Sequence, residues 1–568
     1  MEQVIEHKTC KKCQIDFNIT DRDLEFYDKV SPIFASKKYS IPTPKLCPDC
    51  RQQRRLTFRN ERSLYKRKCD ITNQDIVSIY SPDKPHKIYE LNYWKSDKFD
   101  PMKYWREFDF SRSFFEQYAE LILDIPKNSI NSSSSNENSE YVNYCSYMKN
   151  CYLIFDSMKT EDSYYWVKVT SSKNCIDNTH LYFSENCYEC NDSSKCYWVS
   201  FSRFCEWCNH WMFLSNCIGC EDCLMCFWLV NKKYHFKNKE YTKQEYEKIK
   251  TEYLNKISSW NIQELKKEFN NFASSKLHKN LNIIWSENCS WNNITNSSNS
   301  SHCFDVVGIQ NCKYSTAIFN SQDCYDYESW WDKSFMIYDS IAVWSRSNNV
   351  LFSSWALSWA SNSIYCAYSS RCKNVFGCSW IRDKEYCILN KQYTKDEYEK
   401  LVPKIIEKMK ADGEWWEFFP ASMSPFGYNE TVANEYFPLG KEEALEKWFN
   451  WSDYEAPFPK VEKIISASKL PEDITDIPDD ILGWAIECEV TKKPFRIIKP
   501  ELEFYRKHNF PIPKRHPDQR HLDRMNLRNP RKLYERNCDK CDKNIQTTYE
   551  SIRTETVYCE ECYNQEIY

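Results

Sequence analysis

Short apolar and aromatic runs alternate with Ser- and Asn-rich turns through the middle of this chain. Runs such as CYLIF, HLYFS and KCYWVSF are typical of β-strands rather than helices. Cysteines recur among them every 21 residues, as at Cys175, Cys196 and Cys217 and again at Cys303 and Cys324. A repeat that cannot bury a face alone must stack on its neighbours. The pattern therefore predicts a parallel β-helix with 21-residue coils, about three strands per coil and about five coils in each half.

The cysteines of these coils have two interpretations. Free Cys packs as a small buried apolar residue, so a recurrent Cys is typical of an interior stack. The motifs CYEC and CEWC, and the run Cys217, Cys220, Cys223 and Cys226, also have the spacing of metal ligands. A regular repeat produces the same spacing, which favours the interior stack.

Each half of the repeat region ends in the same motif, YTKQEYEK in the first and YTKDEYEK in the second. Thr242 with Glu245, and Thr394 with Glu397, predict capping boxes, in which the two side chains satisfy free backbone N–H groups. The helices that begin there, residues 242–272 in pieces and 394–410, are expected to cover open ends of the repeat. An uncovered strand edge invites aggregation.

The two ends of the chain are copies of one unit. At a constant numerical offset, IPTPKLCPDCRQQRRLTFRNERSLYKRKCDITNQDI, from Ile41, matches FPIPKRHPDQRHLDRMNLRNPRKLYERNCDKCDKNI, from Phe510. Upstream, DLEFYDK matches ELEFYRK. This internal duplication predicts that the two ends fold alike.

The copies retain different metal motifs. CKKC and CPDC in the first copy, and CDKC and CEEC in the second, each supply the closed four-thiolate shell of structural zinc. We therefore predict two structural Zn²⁺ ions, and a helix that carries the second ligand pair gives a treble-clef arrangement. The predicted ligands are Cys10, Cys13, Cys47 and Cys50, and Cys538, Cys541, Cys559 and Cys562. The corresponding relic positions are Cys488, Thr491, His516 and Gln519, and Cys69, Thr72, Glu90 and Tyr93.

Arginines follow the second ligand pair at a helical spacing that keeps them on one face. A basic stripe in a chain with a net charge of −4 is the electrostatic pattern expected for phosphate contact, so we predict non-specific binding to DNA, RNA or a ribosome. Three alternatives stay open: pairing with the acidic middle of the chain, binding to an acidic protein partner, and plain solvation. The predicted nucleic-acid contacts are Arg51, Arg55, Arg59 and Arg62, and Arg520, Arg524, Arg528 and Arg531.

These features predict an α+β, mainly β, fold of eight segments. They are an N-terminal treble clef plus relic ribbon (1–127), a polar linker (128–140), the first β-helix half (141–240), a helical cap (241–282), the second half (283–392), a second cap (393–412), an aromatic and Pro-rich connector (413–487) and a C-terminal relic treble clef plus zinc ribbon (488–568). One interrupted β-helix and two separate ones are both compatible with the pattern.

Composition bears on the redox state of the thiols and on the cellular location. The 568 residues include 30 Cys, below the proportion of a disulfide scaffold, and the start MEQVIEHKTCKKC contains no apolar signal segment. We therefore expect reduced thiols and a cytoplasmic location. No run approaches the roughly 18 apolar residues of a membrane span, so no membrane association is expected.

Several strings together resemble an uncharacterised zinc-finger family known from bacteria with reduced genomes. They include CPDCRQQRR, FFPASMSPFGYNETVANEYFP and HPDQRHLDR, and the resemblance extends over essentially the whole chain. It implies treble-clef or ribbon modules that use the eight predicted cysteine ligands. It implies no reaction.

An enzymatic alternative rests on His516, Asp518 and His521, which suit a catalytic metal or phosphodiester cleavage in a nuclease-like enzyme. His516 corresponds to the ligand Cys47 of the first copy, which makes a relic ligand the simpler interpretation. The chain lacks a Gly-rich phosphate loop, HExxH and GxSxG. We therefore predict a non-enzymatic zinc-binding scaffold.

Trp outnumbers Gly, 21 to 7, although average usage of about 7% Gly gives roughly 40 in a chain of this length. Trp448 follows the helical run KEEALEK, where a left-handed residue, normally Gly, is wanted. The family that the chain resembles carries Gly at Trp105, Trp228, Trp380 and Trp416. We hypothesise that several Trp positions are UGA codons that the source organism decodes as Gly.

Overall fold

The computed structural model describes residues 2–259, 262–328, 335–341, 347–354, 359–457 and 460–567, and for 255–259 it describes the backbone only. The protein is α+β. The chain forms two compact units. The first comprises residues 1–129, 281–454 and 531–533, and the second comprises 130–280, 455–530 and 534–568.

The first unit contains an N-terminal module of short elements. Its strands are Val4–Thr9, Asp16–Thr20, Ile33–Phe34, Lys37–Lys38, Tyr65–Lys68, Asp75–Ser78, Ile88–Tyr89 and Lys127–Asn128. Its helices are Asp21–Val30, Pro48–Leu56, Leu91–Lys95 and Phe114–Asp124, with a 3₁₀ turn at Pro101–Tyr104. The second cap adds the helix Lys395–Ala411, and the connector adds the helices Val432–Tyr436 and Lys441–Glu446 and the 3₁₀ turns Ala421–Met423 and Tyr428–Glu430.

The second unit contains the C-terminal module. Its strands are Lys463–Ser466, Trp484–Glu487, Pro494–Phe495, Tyr534–Asn537, Asn544–Thr547 and Thr556–Tyr558. Its helices are Lys499–His508, Pro517–Met525 and Glu560–Ile567, with 3₁₀ turns at Ala467–Lys469, Ile474–Asp476 and Asp479–Gly483. The helix Pro517–Met525 and the hairpin that follows it have bounds that correspond, position for position, to those of their N-terminal counterparts, as the duplication predicts.

Each unit also contains a series of mostly parallel strands, which we call the first and second ladders. The first ladder, in the second unit, consists of Val142–Lys149, Tyr152–Glu161, Tyr164–Thr170, Thr179–Tyr182, Asn191–Ser194, Tyr197–Ser200, Asn209–Met212, Leu214–Ser215, Glu221–Leu224, Cys226–Phe227, Lys233–Phe236 and Lys239–Glu240. The second ladder, in the first unit, consists of Ile283–Ile284, Trp291–Thr295, Cys303–Val307, Gln322–Glu328, Phe335–Ile341, Asn348–Leu351, Ser361–Ile364, Lys373–Phe376, Glu385–Ile388 and Lys391–Gln392. In each ladder the last strand is antiparallel to its neighbour.

Strand pairing shows that the coil length predicted from the cysteine repeat is wrong. In the first ladder Thr179 lies opposite Asn191, and His180 bonds to Asp192 at the same sequence separation of 12. The backbone of this ladder repeats every three residues, because φ is positive at every third position, as at Asn174 (52°), Asp177 (56°) and His180 (54°). We call this three-residue repeat the triplet. The predicted coil length is also a whole number of triplets. Cysteines at buried triplet positions therefore recur at that interval without marking a coil.

The ladder cysteines, apart from the half-buried Cys289, lie in apolar cores. Burial raises the pKa of Cys151 and of Cys372 to about 12, which keeps these thiols neutral. Within the described ranges, the two clusters of four metal-ligating side chains contain no ladder cysteine. The interior-stack interpretation is therefore confirmed.

Helices follow the last strand of each ladder, and both capping boxes are confirmed. The helix Lys395–Ala411 begins with reciprocal hydrogen bonds between Thr394 and Glu397. Thr242 and Glu245 make the same bonds ahead of the helix Lys243–Ser259, which the helix Ile262–Ser274 follows.

Two helix ends show the backbone conformation that motivates the decoding hypothesis. After Lys441–Glu446, Trp448 has φ 63°, and the N–H groups of Trp448 and Phe449 donate to Leu445 and Ala444. Gly413, with φ 75°, has the same position and the same pattern of bonds after Lys395–Ala411. This is the Schellman arrangement, in which Gly avoids the strain that a side chain brings.

The other tryptophans of the hypothesis differ from one another. Trp228, Trp380 and Trp416 have φ of 55°, 64° and 71°. Trp105 has φ −56°, a backbone conformation that does not require Gly. Trp380 is buried and stacks on Tyr368 with ring centroids 3.7 Å apart, whereas Trp448 is 83% exposed. Trp448 is therefore the position at which Gly fits best.

Candidate metal centres and arginine anchors

The N-terminal module brings Cys10, Cys13, Cys47 and Cys50 together. Cys10 and Cys13 lie on the turn after the strand Val4–Thr9, and Cys47 is the N-cap of the helix Pro48–Leu56. Pro48 occupies the first helical position, where its missing N–H is not needed. The four Sγ atoms lie within 4.8 Å of one another, and those of Cys13 and Cys47 are 3.6 Å apart.

This cluster fits a tetrahedral metal. A Zn–S distance of about 2.3 Å in a tetrahedron places the sulfurs about 3.8 Å apart. The hydrogen bond between the side chains of Cys47 and Cys50 lowers the pKa of Cys47 and raises that of Cys50, so Cys47 is the thiol of this pair that ionises first. Cys13 is exposed and the other three cysteines are buried. The donor set suits zinc, although the structure does not identify the metal.

The C-terminal module forms an equivalent centre from Cys538, Cys541, Cys559 and Cys562. The first pair follows the strand Tyr534–Asn537, and the second pair opens the last helix. The four Sγ atoms again lie within 4.8 Å of one another, and those of Cys541 and Cys559 are 3.8 Å apart. Burial raises the pKa of Cys538, but hydrogen bonds from backbone N–H groups, including that of Cys559 at 3.2 Å, outweigh it and lower the pKa to about 6. Both centres are compatible with treble-clef or ribbon modules.

The two relic positions keep the same turn without the ligands. The Cys69 Sγ accepts hydrogen bonds from the backbone N–H groups of Thr72 (3.5 Å) and Glu90 (3.2 Å). Cys488 accepts one from Thr491 at 3.4 Å. The Glu90 carboxylate caps the helix Leu91–Lys95 instead of contributing to a metal site.

The arginine stripe of the N-terminal module is buried. Arg51 and Arg55 are 2% and 1% exposed. The Arg51 Nη2 atom lies 2.9 Å from Asp326 Oδ2, and the Arg55 Nη1 atom lies 2.7 Å from Asp339 Oδ1. Both aspartates belong to the second ladder, so the stripe anchors the module helix to that ladder. Further along, Arg59 pairs with Glu61, and Arg62 is half-buried.

The C-terminal module repeats this arrangement on the first ladder. Arg520 and Arg524 both pair with Asp177, whose side chain is fully buried. Arg528 Nε lies 2.7 Å from Asp192 Oδ2. In the first unit, Arg531 Nε lies 2.9 Å from Asp305 Oδ2.

For seven of the eight arginines, burial and internal pairing oppose the predicted nucleic-acid contacts, and for Arg62 the contact stays a prediction. Seven of the eight arginines make ion pairs within the protein, and their own side chains are at most 7% exposed. A guanidinium that is buried and paired in this way cannot reach a phosphate. The alternative of pairing with the acidic middle of the chain is correct for the six outside the Arg59–Glu61 pair. Those six are Arg51, Arg55, Arg520, Arg524, Arg528 and Arg531.

The partner aspartates are functional residues that the sequence pattern did not reveal. All five occupy left-handed positions with φ between 46° and 57°, namely Asp177, Asp192, Asp305, Asp326 and Asp339. Asp tolerates this conformation better than most residues. An acidic residue at the left-handed position of the three-residue repeat is therefore the sequence feature that identifies these partners.

The enzymatic alternative loses support from the local geometry. The His516 ring is the N-cap of the helix Pro517–Met525, and its Nδ1 accepts a hydrogen bond from the Asp518 backbone N–H at 3.2 Å. His521 is 2% exposed. His516, Asp518 and His521 do not form a metal-ligand cluster within the described part of the chain.

Comparison with known proteins adds no assignment: no protein-family model matches this sequence, and no curated protein matches it significantly. Within the described residues, no helix combines the length and apolar character that crossing a bilayer requires.

Proposed function

We propose that this protein is a zinc-dependent, non-enzymatic scaffold of the zinc-finger type that its sequence resembles. The observation that carries the proposal is the pair of four-cysteine clusters, each with all Sγ atoms within 4.8 Å of one another. Four thiolates complete a tetrahedral shell and leave no open position for a substrate or an activated water. The metal therefore has a structural role.

The arginine anchors connect each metal centre to a ladder. Cys50 and Arg51 are adjacent on one helical turn, so an ion that orients the cysteine also orients the guanidinium toward Asp326. The C-terminal module keeps the arginine contact through Arg520 without the ligands on the same helix. We propose that each ladder is a β-helix. In the first ladder one turn has four sides of three residues each, and in both ladders the module packs against one side.

Metal analysis of matched variants tests the proposal. We expect two zinc ions per native chain, and one in Cys13→Ser and in Cys541→Ser. Cys488→Ser is the control, because Cys488 lies on the same kind of turn outside both clusters and its loss leaves two ions bound. Fewer than one ion per chain in the native protein would contradict the proposal.

An exposed aromatic group on the first ladder favours a second function, contact with single-stranded nucleic acid. Phe183, Tyr197 and Trp207 are 55%, 39% and 56% exposed, and together they line a shallow surface depression. The Lys195 Nζ lies 4.2 Å from the centre of the Trp207 ring. Exposed rings beside a cation provide stacking and charge for a base and its phosphate.

Gel shifts with a single-stranded oligonucleotide at several salt concentrations test this second function. We expect Phe183→Ala with Lys195→Ala to weaken binding, and Arg371→Ala, at an exposed position of the second ladder, to leave it unchanged. Absence of binding by the native protein at low salt would remove this function and leave the zinc scaffold intact.

A further inference from the structure

A cavity of about 420 Å³ lies within the second unit, beside the first ladder. The helix Ile262–Ser274 and the module helix Pro517–Met525 contribute to its walls. Its volume lies in the range of small-molecule sites. Neither the zinc centres nor the exposed aromatic group lies in it.

The cavity is rich in positive charge. Seven cationic and four acidic side chains line it. Five of the cations are neutralised by carboxylates: Arg524 pairs with Asp177, as described above, and the others form pairs such as Lys266 with Glu189 at 2.5 Å and Arg515 with Asp523 at 2.8 Å. Lys514 pairs with Glu472, and Arg520 pairs with Asp177.

Of the other two cations, Lys267 is exposed, and Arg203 is the one that points to a ligand. Its Nε donates to Ser215 Oγ at 3.3 Å and its Nη1 donates to Asn270 Oδ1 at 3.2 Å, both neutral acceptors. No carboxylate of the described residues forms an ion pair with its guanidinium. The nearby Arg553 and Glu555 pair with each other. Burial lowers the pKa of Arg203, as expected for a cation without a partner.

Arg520 provides a second unsatisfied group in the cavity wall. Its Nη1 donates to Asp177, Glu501 and Tyr505, but its buried Nε and Nη2 have no hydrogen-bond acceptor among the residues that the structure describes. A buried donor without an acceptor destabilises the folded protein. An anion with several oxygens offers acceptors for donors of this kind.

The rest of the wall is apolar and aromatic. Phe201, Phe213 and Phe269 contribute to it, and the first two stack with centroids 5.1 Å apart. A bare anion leaves such a wall uncovered, whereas a ligand with a planar apolar body covers it. We propose that this cavity binds a small organic phosphate of nucleotide size, with its phosphate on Arg203 and its apolar body against the phenylalanines.

Titration calorimetry of the zinc-loaded full-length protein with AMP and with inorganic phosphate tests the proposal. We expect AMP to bind with a stoichiometry of one and more tightly than phosphate. Arg203→Gln should weaken AMP binding at least about tenfold, since a hydrogen bond to a charged group contributes about 1.5–3 kcal/mol. The control Arg371→Gln, an exposed ladder arginine paired with Asp383, should bind AMP like the native protein.

The thermal stability of the free protein distinguishes a ligand site from a structural arginine. Arg203→Gln removes an unneutralised cation, so the free variant should melt at or above the native temperature while it loses stabilisation by AMP. A lower melting temperature combined with unchanged AMP binding would overturn the proposal. So would native protein that binds neither compound, or that binds phosphate as tightly as AMP.

Discussion

The Arg55 guanidinium lies 2.7 Å from the Asp339 carboxylate, across 284 residues of sequence, and both side chains are 1% exposed. The same guanidinium also contacts Asp326 at 3.2 Å. A buried charge pair gains little over an apolar pair of the same shape, but it is strongly destabilising to break. These arginines therefore specify how each module docks on its ladder.

Truncation of an anchor arginine should destabilise the protein rather than weaken binding to a partner. We expect Arg55→Ala to reduce the free energy of unfolding by about 1–3 kcal/mol, because it removes one of the two arginines that pair with each of the buried carboxylates of Asp326 and Asp339. Chemical denaturation followed by circular dichroism measures the loss.

The exposed pair of Arg371 and Asp383 is the matched control for this experiment. Arg371→Ala should change stability by less than about 1 kcal/mol, because exposed pairs contribute little. An Arg55→Ala effect as small as that of the control would contradict the anchoring role. Oligonucleotide affinity changed without loss of stability would instead restore the nucleic-acid interpretation of the stripe.

Thiol reactivity should separate the metal ligands from the ladder cysteines. After zinc is removed with a chelator, an alkylating reagent should modify ligand cysteines such as Cys13 and Cys541, which are exposed. Ladder cysteines such as Cys151 and Cys372 should stay unmodified in the folded protein, because burial raises their pKa to about 12 and blocks access. Peptide mass spectrometry identifies the modified residues. Equal modification of both classes while the fold is retained would contradict the buried-core assignment.

Lys127 should make stability depend on pH. Burial lowers its pKa from 10.5 to about 7, so between these values the unfolded chain binds more protons than the folded one. Stability should therefore rise as pH increases from about 7 to 10.5, with a slope of at most about 1.4 kcal/mol per pH unit from this group.

The variant Lys127→Met isolates this contribution. It should remove the dependence of stability on pH that comes from Lys127. It also removes the hydrogen bond that Lys127 donates to the Ile122 carbonyl. Denaturation of the native and variant proteins across this pH range gives the difference. Parallel pH profiles would show that the amine is solvated in the folded protein.

The local features of this fold were predictable because they depend on residues close together in sequence. The CxxC turns, the Pro48 helix start and the Thr394–Glu397 capping box are confirmed for this reason. The duplication also has its structural counterpart, since the helix and hairpin of the two modules begin and end at corresponding positions.

The coil length and the arginine partners were not predictable in the same way. The cysteines occupy only a subset of the triplet positions, so their repeat is longer than the sequence separation between paired strands. Only the strand register, as between Thr179 and Asn191, reveals that separation. The spacing of the arginines along the module helix is the same whether their side chains contact a phosphate or an aspartate. The partner of Arg55 is 284 residues away, so only the tertiary fold decides between them.

The end of the helix Lys441–Glu446 supports one last prediction, on the identity of residue 448. Trp448 holds a left-handed backbone that costs a residue with a side chain roughly 1–2 kcal/mol, and its 83% exposed ring contributes little packing. Trp448→Gly should therefore stabilise the protein by about 1 kcal/mol in chemical denaturation. Gly413→Ala, at the equivalent position with no atom within 4 Å of an added Cβ, should destabilise it by a similar amount. Stabilisation of the glycine variant, together with an intact mass of native protein below that of the given sequence, supports decoding of this codon as Gly. Destabilisation by Trp448→Gly, or a native mass equal to that of the given sequence, would contradict it.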